Sequence, residues 1–272
     1  MSCPQAGRRV EDAGQKGTLM GIFAITGSAS GIGAATRVRL EAAGHRVIGV
    51  DLRDAQVIAD LASQQERAAA ITAVRNAAGD RLDGLVVCAG VGPHVEPWSV
   101  IVSLNYFGAQ AVLAGLYDAL VAGRPAAAVA VSSNASTLPG VDSALVEACL
   151  AGNEAEARRV VMTLDAHRAY AGSKLALTRW VRRQAPDWGR AGVRLNAVAP
   201  GAVMTPLLQG GLDHPVFGDA IRNFPIPTGG FGTPDQVAAA VTFLLSPEAA
   251  FCCGSVLFVD GGTDAMLRPD QY

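Results

Sequence analysis

The stretch Ile25-Thr-Gly-Ser-Ala-Ser-Gly-Ile-Gly33 decides the fold of this chain. It joins a short apolar run, residues 21–26, to a segment with helical periodicity that ends on a glycine, residues 32–44. Glycines at such a junction let the backbone turn tightly and approach a pyrophosphate, which the N–H groups of a helix N-terminus bind. No Gly-Lys-Ser/Thr follows, so a nucleoside triphosphate loop is excluded. The stretch predicts a dinucleotide-binding turn, with a ligand-free glycine turn as the alternative.

The rest of the chain alternates strand-like and helix-like segments. Predicted strands rich in Val, Ile and Ala follow at residues 46–51, 57–60, 82–89, 126–132, 193–199 and 255–259. Predicted helices occupy residues 63–78, 97–122, 169–188 and 233–245, the last opened by the capping box Thr233-Pro-Asp-Gln236. This alternation predicts an α/β fold, a single-domain, doubly wound (Rossmann-type) parallel sheet with helices on both faces.

Composition limits the class of protein. The chain has 272 residues, 50% hydrophobic and 17% charged, which suits one large α/β domain. A net charge of −2 without a basic run gives no reason to expect nucleic acid, and no apolar stretch reaches the roughly 18 residues of a membrane span. Five scattered cysteines indicate thiols in a reducing cytoplasm, and the four histidines lack metal-site spacing.

Three segments stand apart from the repeating pattern. Residues 1–19 have no apolar signal region and are interpreted as a flexible N-terminal extension, so the catalytic domain covers residues 20–272. Residues 137–165 read as an insert of two short helices, with a disordered loop as the alternative. Residues 206–232 are rich in Leu, Phe, Gly and Pro, which favours a lid over an apolar substrate or, alternatively, an ordinary long loop.

An acid ends the second strand. Asp51 can accept hydrogen bonds from a ribose 2′-OH and would repel a 2′-phosphate. Ser30, just before Gly31, offers that phosphate no cation, although Arg53 could soften the preference. The sequence therefore predicts NAD rather than NADP as cofactor.

Tyr170 and Lys174 lie four residues apart, on one face of a predicted helix. A neighbouring ammonium favours phenolate, so we expect the pKa of Tyr170 below its usual value of about 10, as suits a general acid or base. A snorkelling lysine beside a half-buried tyrosine is the alternative. The glycine turn and the pair Ser132–Ser133, at the end of a strand, favour the catalytic interpretation.

Together, Gly27, Gly31, Gly33, Ser133, Tyr170 and Lys174 resemble the short-chain dehydrogenase/reductase superfamily over residues 20–262. Within it the likeness is nearest to bacterial 3α-hydroxysteroid dehydrogenase/carbonyl reductases, in segments such as Asn105-Tyr-Phe-Gly, Ala-Tyr170-Ala-Gly-Ser-Lys174 and the terminal Arg-Pro-x-Gln. The resemblance implies Ser133 as the residue that orients the carbonyl oxygen, Tyr170 as proton donor, Lys174 as the ribose-binding residue, and Asn105 as part of a water-linked proton relay. The cofactor residues that the resemblance and the turn imply are Gly27, Ser30, Gly31, Ile32, Gly33, Asp51, Asp60, Leu61, Ala89, Gly90, Tyr170, Lys174, Pro200, Gly201 and Thr205.

The sequence departs from the family pattern in three places, one of which is the short loop from Gly90 to the long predicted helix. The usual Asn-Asn-Ala-Gly is Val87-Cys88-Ala-Gly90 here, which keeps the backbone contacts and loses the side-chain ones. The insert, residues 137–165, separates the serine from the tyrosine and could line a substrate pocket or obstruct the helix contact through which many relatives form tetramers. We expect a homodimer that uses the last helix and strand instead.

The function implied is reversible hydride transfer between NAD(H) and a secondary alcohol or ketone, with a hydroxysteroid or another small apolar carbonyl compound as substrate. A reductase of 3-oxoacyl thioesters or sugars is one alternative, although no basic patch suggests an acyl-carrier partner. A non-catalytic NAD sensor is another, and the Ser, Tyr, Lys and Asn set argues against it. A methyltransferase would have no use for the Tyr–Lys pair.

Overall fold

The computed structural model describes residues 20–271, so the predicted extension at residues 1–19 lies outside the described residues. Seven parallel strands form one sheet in the order β3-β2-β1-β4-β5-β6-β7. The strands are β1 Ile22–Thr26, β2 Arg46–Asp51, β3 Val57–Ile58, β4 Gly84–Val87, β5 Ala126–Val131, β6 Val193–Pro200 and β7 Val256–Val259. The order reverses between β1 and β4, which is where a doubly wound sheet opens a crevice for a ligand.

The helices connect these strands and cover both faces of the sheet. They are α1 Gly31–Ala42, α2 Gln64–Ala78, α3 Trp98–Val102, α4 Ala109–Gly115, α5 Tyr117–Gly123, α6 Ser143–Leu150, α7 Glu154–Val161, α8 Ala166–Arg190, α9 Pro206–Leu212, α10 Gly218–Arg222, α11 Pro234–Leu245 and α12 Thr263–Leu267. A π-helical turn spans Ser103–Gly108, and 3₁₀ turns span Asn134–Thr137 and Pro247–Ala249. The prediction of a doubly wound parallel sheet is confirmed.

The period of two along each strand divides the core into two layers. On one face of β1, Phe23 and Ile25 pack in a cluster that also contains Val237 and Val241 of α11. On the other face, Ala24 belongs to the larger cluster, which takes in the buried sides of α2, α4 and α8. The predicted capping box at Thr233 is present, with both reciprocal hydrogen bonds between Thr233 and Gln236, so α11 begins where the sequence predicts.

The long helix predicted over residues 97–122 is broken into four pieces: α3, the π-helical turn, α4 and α5. Two glycines on this stretch allow close packing. A Cβ at Gly108 would lie 2.8 Å from the carbonyl oxygen of Leu61, and one at Gly115 would lie 2.7 Å from Ile71. Where a helix packs this closely against other segments, those contacts can bend it away from a straight axis. Helical periodicity in the sequence does not predict such contacts.

The insert contains the two helices α6 and α7, capped by the side chains of Asp142 and Asn153. The helix α6 packs against α8, and α7 packs against α3. Leu145, Cys149, Ala157 and Val161 of the insert are fully buried in the larger core cluster. The insert is therefore part of the folded core.

Within residues 20–271 no single helix is long and apolar enough to cross a membrane. A bent pair, Trp98–Gly115 with Tyr117–Gly123, reaches that length and composition only across a 46° break. The same part of the chain holds no group of three or more His, Cys, Asp or Glu side chains placed to bind a metal ion.

Candidate active site

A cleft opens at the carboxyl ends of β1, β2, β4, β5 and β6, around the point where the strand order reverses. All but one of the predicted cofactor residues line it, together with the catalytic candidates Ser133, Tyr170 and Lys174. The exception, Gly33, packs against the carbonyl oxygen of Gly27. Asn105 does not line the cleft either, and acts on it through hydrogen bonds described below. The tertiary structure thus brings together residues that are up to 178 positions apart, from Gly27 to Thr205.

The glycine turn packs closely against its surroundings. Gly31 has a φ of +53° and its Cα faces Thr205, whose Cγ2 would lie 3.2 Å from a Cβ added there. A Cβ at Gly33 would collide with the carbonyl oxygen of Gly27, so α1 can approach β1 only with glycine at this position. Ser30 precedes α1 without capping it through its side chain, which leaves first-turn N–H groups open to an anion.

Asp51 ends β2 beside this turn. Its Oδ2 accepts a hydrogen bond from the backbone N–H of Ala29 at 2.9 Å, and its Oδ1 accepts one from Leu52 at 2.7 Å. The carboxylate is thereby fixed in the cleft with lone pairs left for a ribose hydroxyl. Arg53 is exposed and does not line the cleft.

The end of β4 forms the floor of the cleft. Thr26 Oγ1 accepts hydrogen bonds from the backbone N–H groups of Cys88 and Ala89, both at 3.1 Å. A Cβ at Gly90 would lie 3.0 Å from Asn105 Oδ1 and 3.5 Å from Lys174 Nζ. The backbone at Gly90 therefore runs directly between the two predicted polar residues.

Asn105 is fully buried within the π-helical turn. Its Oδ1 accepts from the N–H of Val91 at 2.9 Å, and its Nδ2 donates to the carbonyl of Val91 at 3.0 Å and to Ser173 Oγ at 3.5 Å. π-Helical turns are rare and are frequent at functional sites. Asn105 thus fixes the loop after Gly90 against α8, one helical position from the lysine.

Ser133, Tyr170 and Lys174 line the cleft together, and Ser133 is hydrogen-bonded with Tyr170. Ser133 follows β5, and its Oγ accepts from the N–H of Ala135, which sets the entry into the 3₁₀ turn. Lys174 is buried in α8, and its Nζ donates to the carbonyl of Val131 at 2.9 Å. The Nζ also lies 5.9 Å from the centre of the Tyr170 ring.

Burial shifts both pKa values of this pair. It lowers the pKa of Lys174 from 10.5 to about 8, because a charged ammonium is poorly solvated there. It raises the pKa of Tyr170 above 10, and a hydrogen bond with Ser133 offsets part of that rise. The predicted lowering of the Tyr170 pKa is therefore wrong for the protein alone, because burial is the largest cause of the shift and the Lys174 ammonium donates to the Val131 carbonyl.

The cleft also has walls that motif reasoning missed. Leu104 and Val203 line it, and the Val131 carbonyl holds Lys174. Cys88 lines it where the family carries asparagine, and burial raises the pKa of its thiol to about 11. Leu104, in the π-helical turn, and Val203 are apolar residues, and the Val131 carbonyl is a backbone group, so a single sequence carries no signal for them. Cys88 is marked in the sequence by its departure from the family pattern.

One side of the cleft belongs to the predicted lid. Leu207 and Leu208 of α9 line it, together with Val91. Thr205 caps α9 by accepting from the N–H of Leu208 at 3.2 Å, so cofactor loop and lid meet at this residue. No residue of the insert lines the cleft within the described part of the chain.

The fold and the site define a dinucleotide-dependent oxidoreductase of the doubly wound class. A family model described as enoyl-(acyl carrier protein) reductase matches residues 27–264, and the chain belongs to the short-chain dehydrogenase/reductase family.

Particular relatives are more similar still. The chain is 47% identical to a 3-alpha-hydroxysteroid dehydrogenase/carbonyl reductase of Comamonas testosteroni, over 93% of this chain and 100% of that protein. It is 31% identical to a D-threitol dehydrogenase of Mycolicibacterium smegmatis, over 88% of this chain and 90% of that protein. The crystal structure of a 3-alpha-hydroxysteroid dehydrogenase from Pseudomonas sp. B-0831, complexed with NADH, is 50% identical and superimposes with a TM-score of 0.91, over 92% of this chain and all of that one.

Proposed function

We propose that this chain is an NAD(H)-dependent oxidoreductase that interconverts secondary alcohols and ketones, with 3α-hydroxysteroids, 3-oxosteroids and other apolar carbonyl compounds as substrates. The observation that carries the proposal is the meeting of Ser133, Tyr170 and Lys174 in one cleft with the glycine turn and Asp51. The likeness to two 3-alpha-hydroxysteroid dehydrogenases over nearly the whole chain supports the substrate class.

The residues of the cleft fit a dinucleotide. The open N-terminus of α1 would bind the pyrophosphate, Asp51 the adenine-side ribose, and the segment at Asp60 and Leu61 the adenine. Among the described contacts, the Lys174 ammonium makes one hydrogen bond, to Val131, which leaves donors for the nicotinamide ribose. Bound NADH would supply the hydride for the carbonyl carbon.

The protein's own groups handle the proton. Ser133 and Tyr170 donate hydrogen bonds to the carbonyl oxygen, where negative charge develops during reduction. Because burial raises its pKa, the Tyr170 phenol is protonated at neutral pH and delivers its proton to that oxygen. The charged Lys174 then stabilises the phenolate, and Asn105 holds the loop through which a proton returns from solvent.

The substrate end of the cleft is apolar. Val91, Leu207 and Leu208 form its wall, and α9 carries the two leucines on the lid segment. Such a wall suits a steroid or another hydrophobic ketone better than a sugar. Closure of the lid over cofactor and substrate would exclude water from the hydride transfer.

The assembly that fits this surface is a homodimer through α11 and β7. Strand β7 is a sheet edge, and Phe243, Phe251 and Leu257 are exposed around it. The insert helices cover α8 and α3, which are then closed to a second copy. Free thiols at Cys88, Cys149, Cys252 and Cys253 agree with a cytoplasmic location.

The experiment that tests the function is an NADH absorbance assay with a panel of steroid and non-steroid ketones, on wild type and Tyr170→Phe. We expect Tyr170→Phe to lose about 1,000-fold in kcat, because the proton donor is gone, and to bind NADH as tightly as wild type. Tyr117→Phe is the matched control, since its ring packs on Trp188 away from the cleft. Activity of Tyr170→Phe near the wild-type level contradicts the mechanism. If the wild-type protein reduces none of the ketones in the panel, the proposed function is contradicted.

A further inference from the structure

Arg67, on α2, is a charged side chain that no part of the hydride-transfer mechanism uses. The residue is only 5% exposed. A guanidinium is always protonated, and its burial is strongly unfavourable unless its donors find partners.

Two partners belong to the adenine end of the cleft. Arg67 Nε donates to the carbonyl of Leu61 at 2.6 Å, and Nη2 donates to the carbonyl of Ala62 at 2.9 Å. Asp60 and Leu61 line the cleft, and Asp60 Oδ1 accepts from the N–H of Ala62 at 2.8 Å. The guanidinium thus holds the segment 60–62 from behind.

A third partner begins the π-helical turn. Nη2 also donates to the carbonyl of Ser103 at 2.9 Å. The turn that starts there carries Asn105 and ends at Gly108, whose Cα packs against the carbonyl oxygen of Leu61. Both ends of the Asn105 turn are therefore tied to the adenine segment, one of them through Arg67.

The insert supplies the counter-charge. Glu154, at the start of α7, accepts from Nη1 and Nη2 at 2.8 Å each, and Arg158 donates to Ser103 Oγ at 2.9 Å. Burial alone would raise the pKa of Glu154. Hydrogen bonds from Arg67 and Ser103, with the charges of Arg67 and Arg158, outweigh it and keep that pKa below its usual value. The insert does not line the cleft, but its Glu154 carboxylate is connected through Arg67 to the cleft residue Leu61.

We propose that Arg67, paired with Glu154 of the insert, is a positioning residue that locks the adenine-binding segment 60–62 to the turn carrying Asn105. The proposal rests on the proposed function, because it assigns the adenine to that segment. Binding of the adenine end and placement of Asn105 are then one coupled event. The segment 60–62 and the turn that begins at Ser103 are hydrogen-bonded to the same guanidinium. A displacement of either segment therefore shifts the Arg67 side chain and, through it, the other segment.

The test compares Arg67→Lys, Glu154→Gln and the control Glu156→Gln. A lysine keeps the charge and loses the planar fork, so it cannot reach two backbone segments and a carboxylate at once. Glu156 lies on the same helix, and its ion pair with Arg159 is exposed. The readouts are the Kd of NADH and of ADP-ribose by fluorescence titration and competition, the kcat at saturating NADH, and the Tm.

We expect Arg67→Lys to raise both dissociation constants about tenfold and to lower kcat about threefold at saturating cofactor. Glu154→Gln is expected to raise them about threefold, and Glu156→Gln to stay within about twofold of wild type. If Arg67→Lys does not fold, Gly108→Ala serves instead. Its Cβ would press on Leu61 with Arg67 intact, and the same rise in both constants is expected.

A fall in Tm with unchanged Kd and kcat for Arg67→Lys and Glu154→Gln would overturn the proposal and leave the pair a structural brace. An effect of equal size in Glu156→Gln would overturn it as well. The ADP-ribose measurement needs no turnover. A wild-type protein that binds ADP-ribose and reduces no carbonyl compound would therefore refute the proposed function, and the ADP-ribose affinities of Arg67→Lys and Glu154→Gln would still decide the role of Arg67.

Discussion

Lys174 is one of two lysines in the sequence, the other being Lys16. Its burial among strand ends lowers its pKa to about 8, so the ammonium is present below pH 8 and gives way to the neutral amine above it. At the residue scale, this pKa lies close to neutral pH, so a bound cofactor that adds or removes charge nearby should change the protonation of Lys174.

The lowered pKa predicts selective labelling. A small amine-reactive reagent should modify Lys174 with a rate that rises with pH and is half-maximal near pH 8, since only the neutral amine is nucleophilic. NADH should protect it by occupying the cleft. Peptide mass spectrometry measures both effects, and a midpoint near pH 10.5 or labelling insensitive to NADH would contradict the assignment.

Asp51 controls the choice of cofactor at the same scale. Asp51→Ala should raise the KM for NAD about tenfold and lower that for NADP by a similar factor, because the acceptor is lost together with the repulsion of a 2′-phosphate. Steady-state kinetics with both cofactors measures this change. Arg53→Ala in the same background shows how much of the gained NADP use depends on that exposed cation. Unchanged ratios in Asp51→Ala would refute the role.

At the scale of elements, the approach of α1 to β1 sets the geometry of the phosphate end of the cleft. The absence of a Cβ at Gly33 lets the carbonyl of Gly27 lie against the first turn of α1. A single methyl group added at Gly33 should therefore move α1 relative to β1.

Gly33→Ala tests this contact. We expect the variant to lose about 1–3 kcal/mol of stability and to raise the Kd of NADH about tenfold, because α1 must shift away from the cofactor turn. Thermal unfolding and fluorescence titration are the measurements. Val38→Ala, on the exposed side of the same helix, should leave both within error. Wild-type affinity in Gly33→Ala would show that the helix does not position the pyrophosphate.

At the scale of the whole molecule, the insert and the last strand differ in how much apolar surface they leave exposed. The insert buries its apolar sides against α8 and α3, whereas β7 keeps an open edge beside the exposed side chains of Phe243 and Leu257. Exposed apolar groups on a sheet edge favour association with a second copy.

The predicted homodimer can be measured directly. Light scattering of wild type should give twice the mass of one chain, and Phe243→Ser/Leu257→Ser should shift it to the monomer, because the shared apolar contact is lost. Met162→Ser, which removes an exposed apolar side chain on the insert, should remain dimeric. A wild-type tetramer or monomer would be incompatible with the proposed assembly.

The sequence by itself determined the order of the seven strands, the glycine turn at Gly27–Gly33, the capping box at Thr233 and the placement of Tyr170 and Lys174 on one helix. These depend on local spacing: a period of two in strands, 3.6 in helices, and glycine where the chain must turn. Such regularities are visible without knowing which residues touch. They also identify the family, since its motifs lie at the ends of these elements.

Only the tertiary structure decided the π-helical turn at Asn105, the break of the long helix after Gly115, the raised pKa of Tyr170 and the buried pair of Arg67 and Glu154. Each of these depends on burial or on contacts between residues far apart in the chain. The cost of removing a charge from water, and the space left by a glycine opposite another segment, exist only once the segments have packed together.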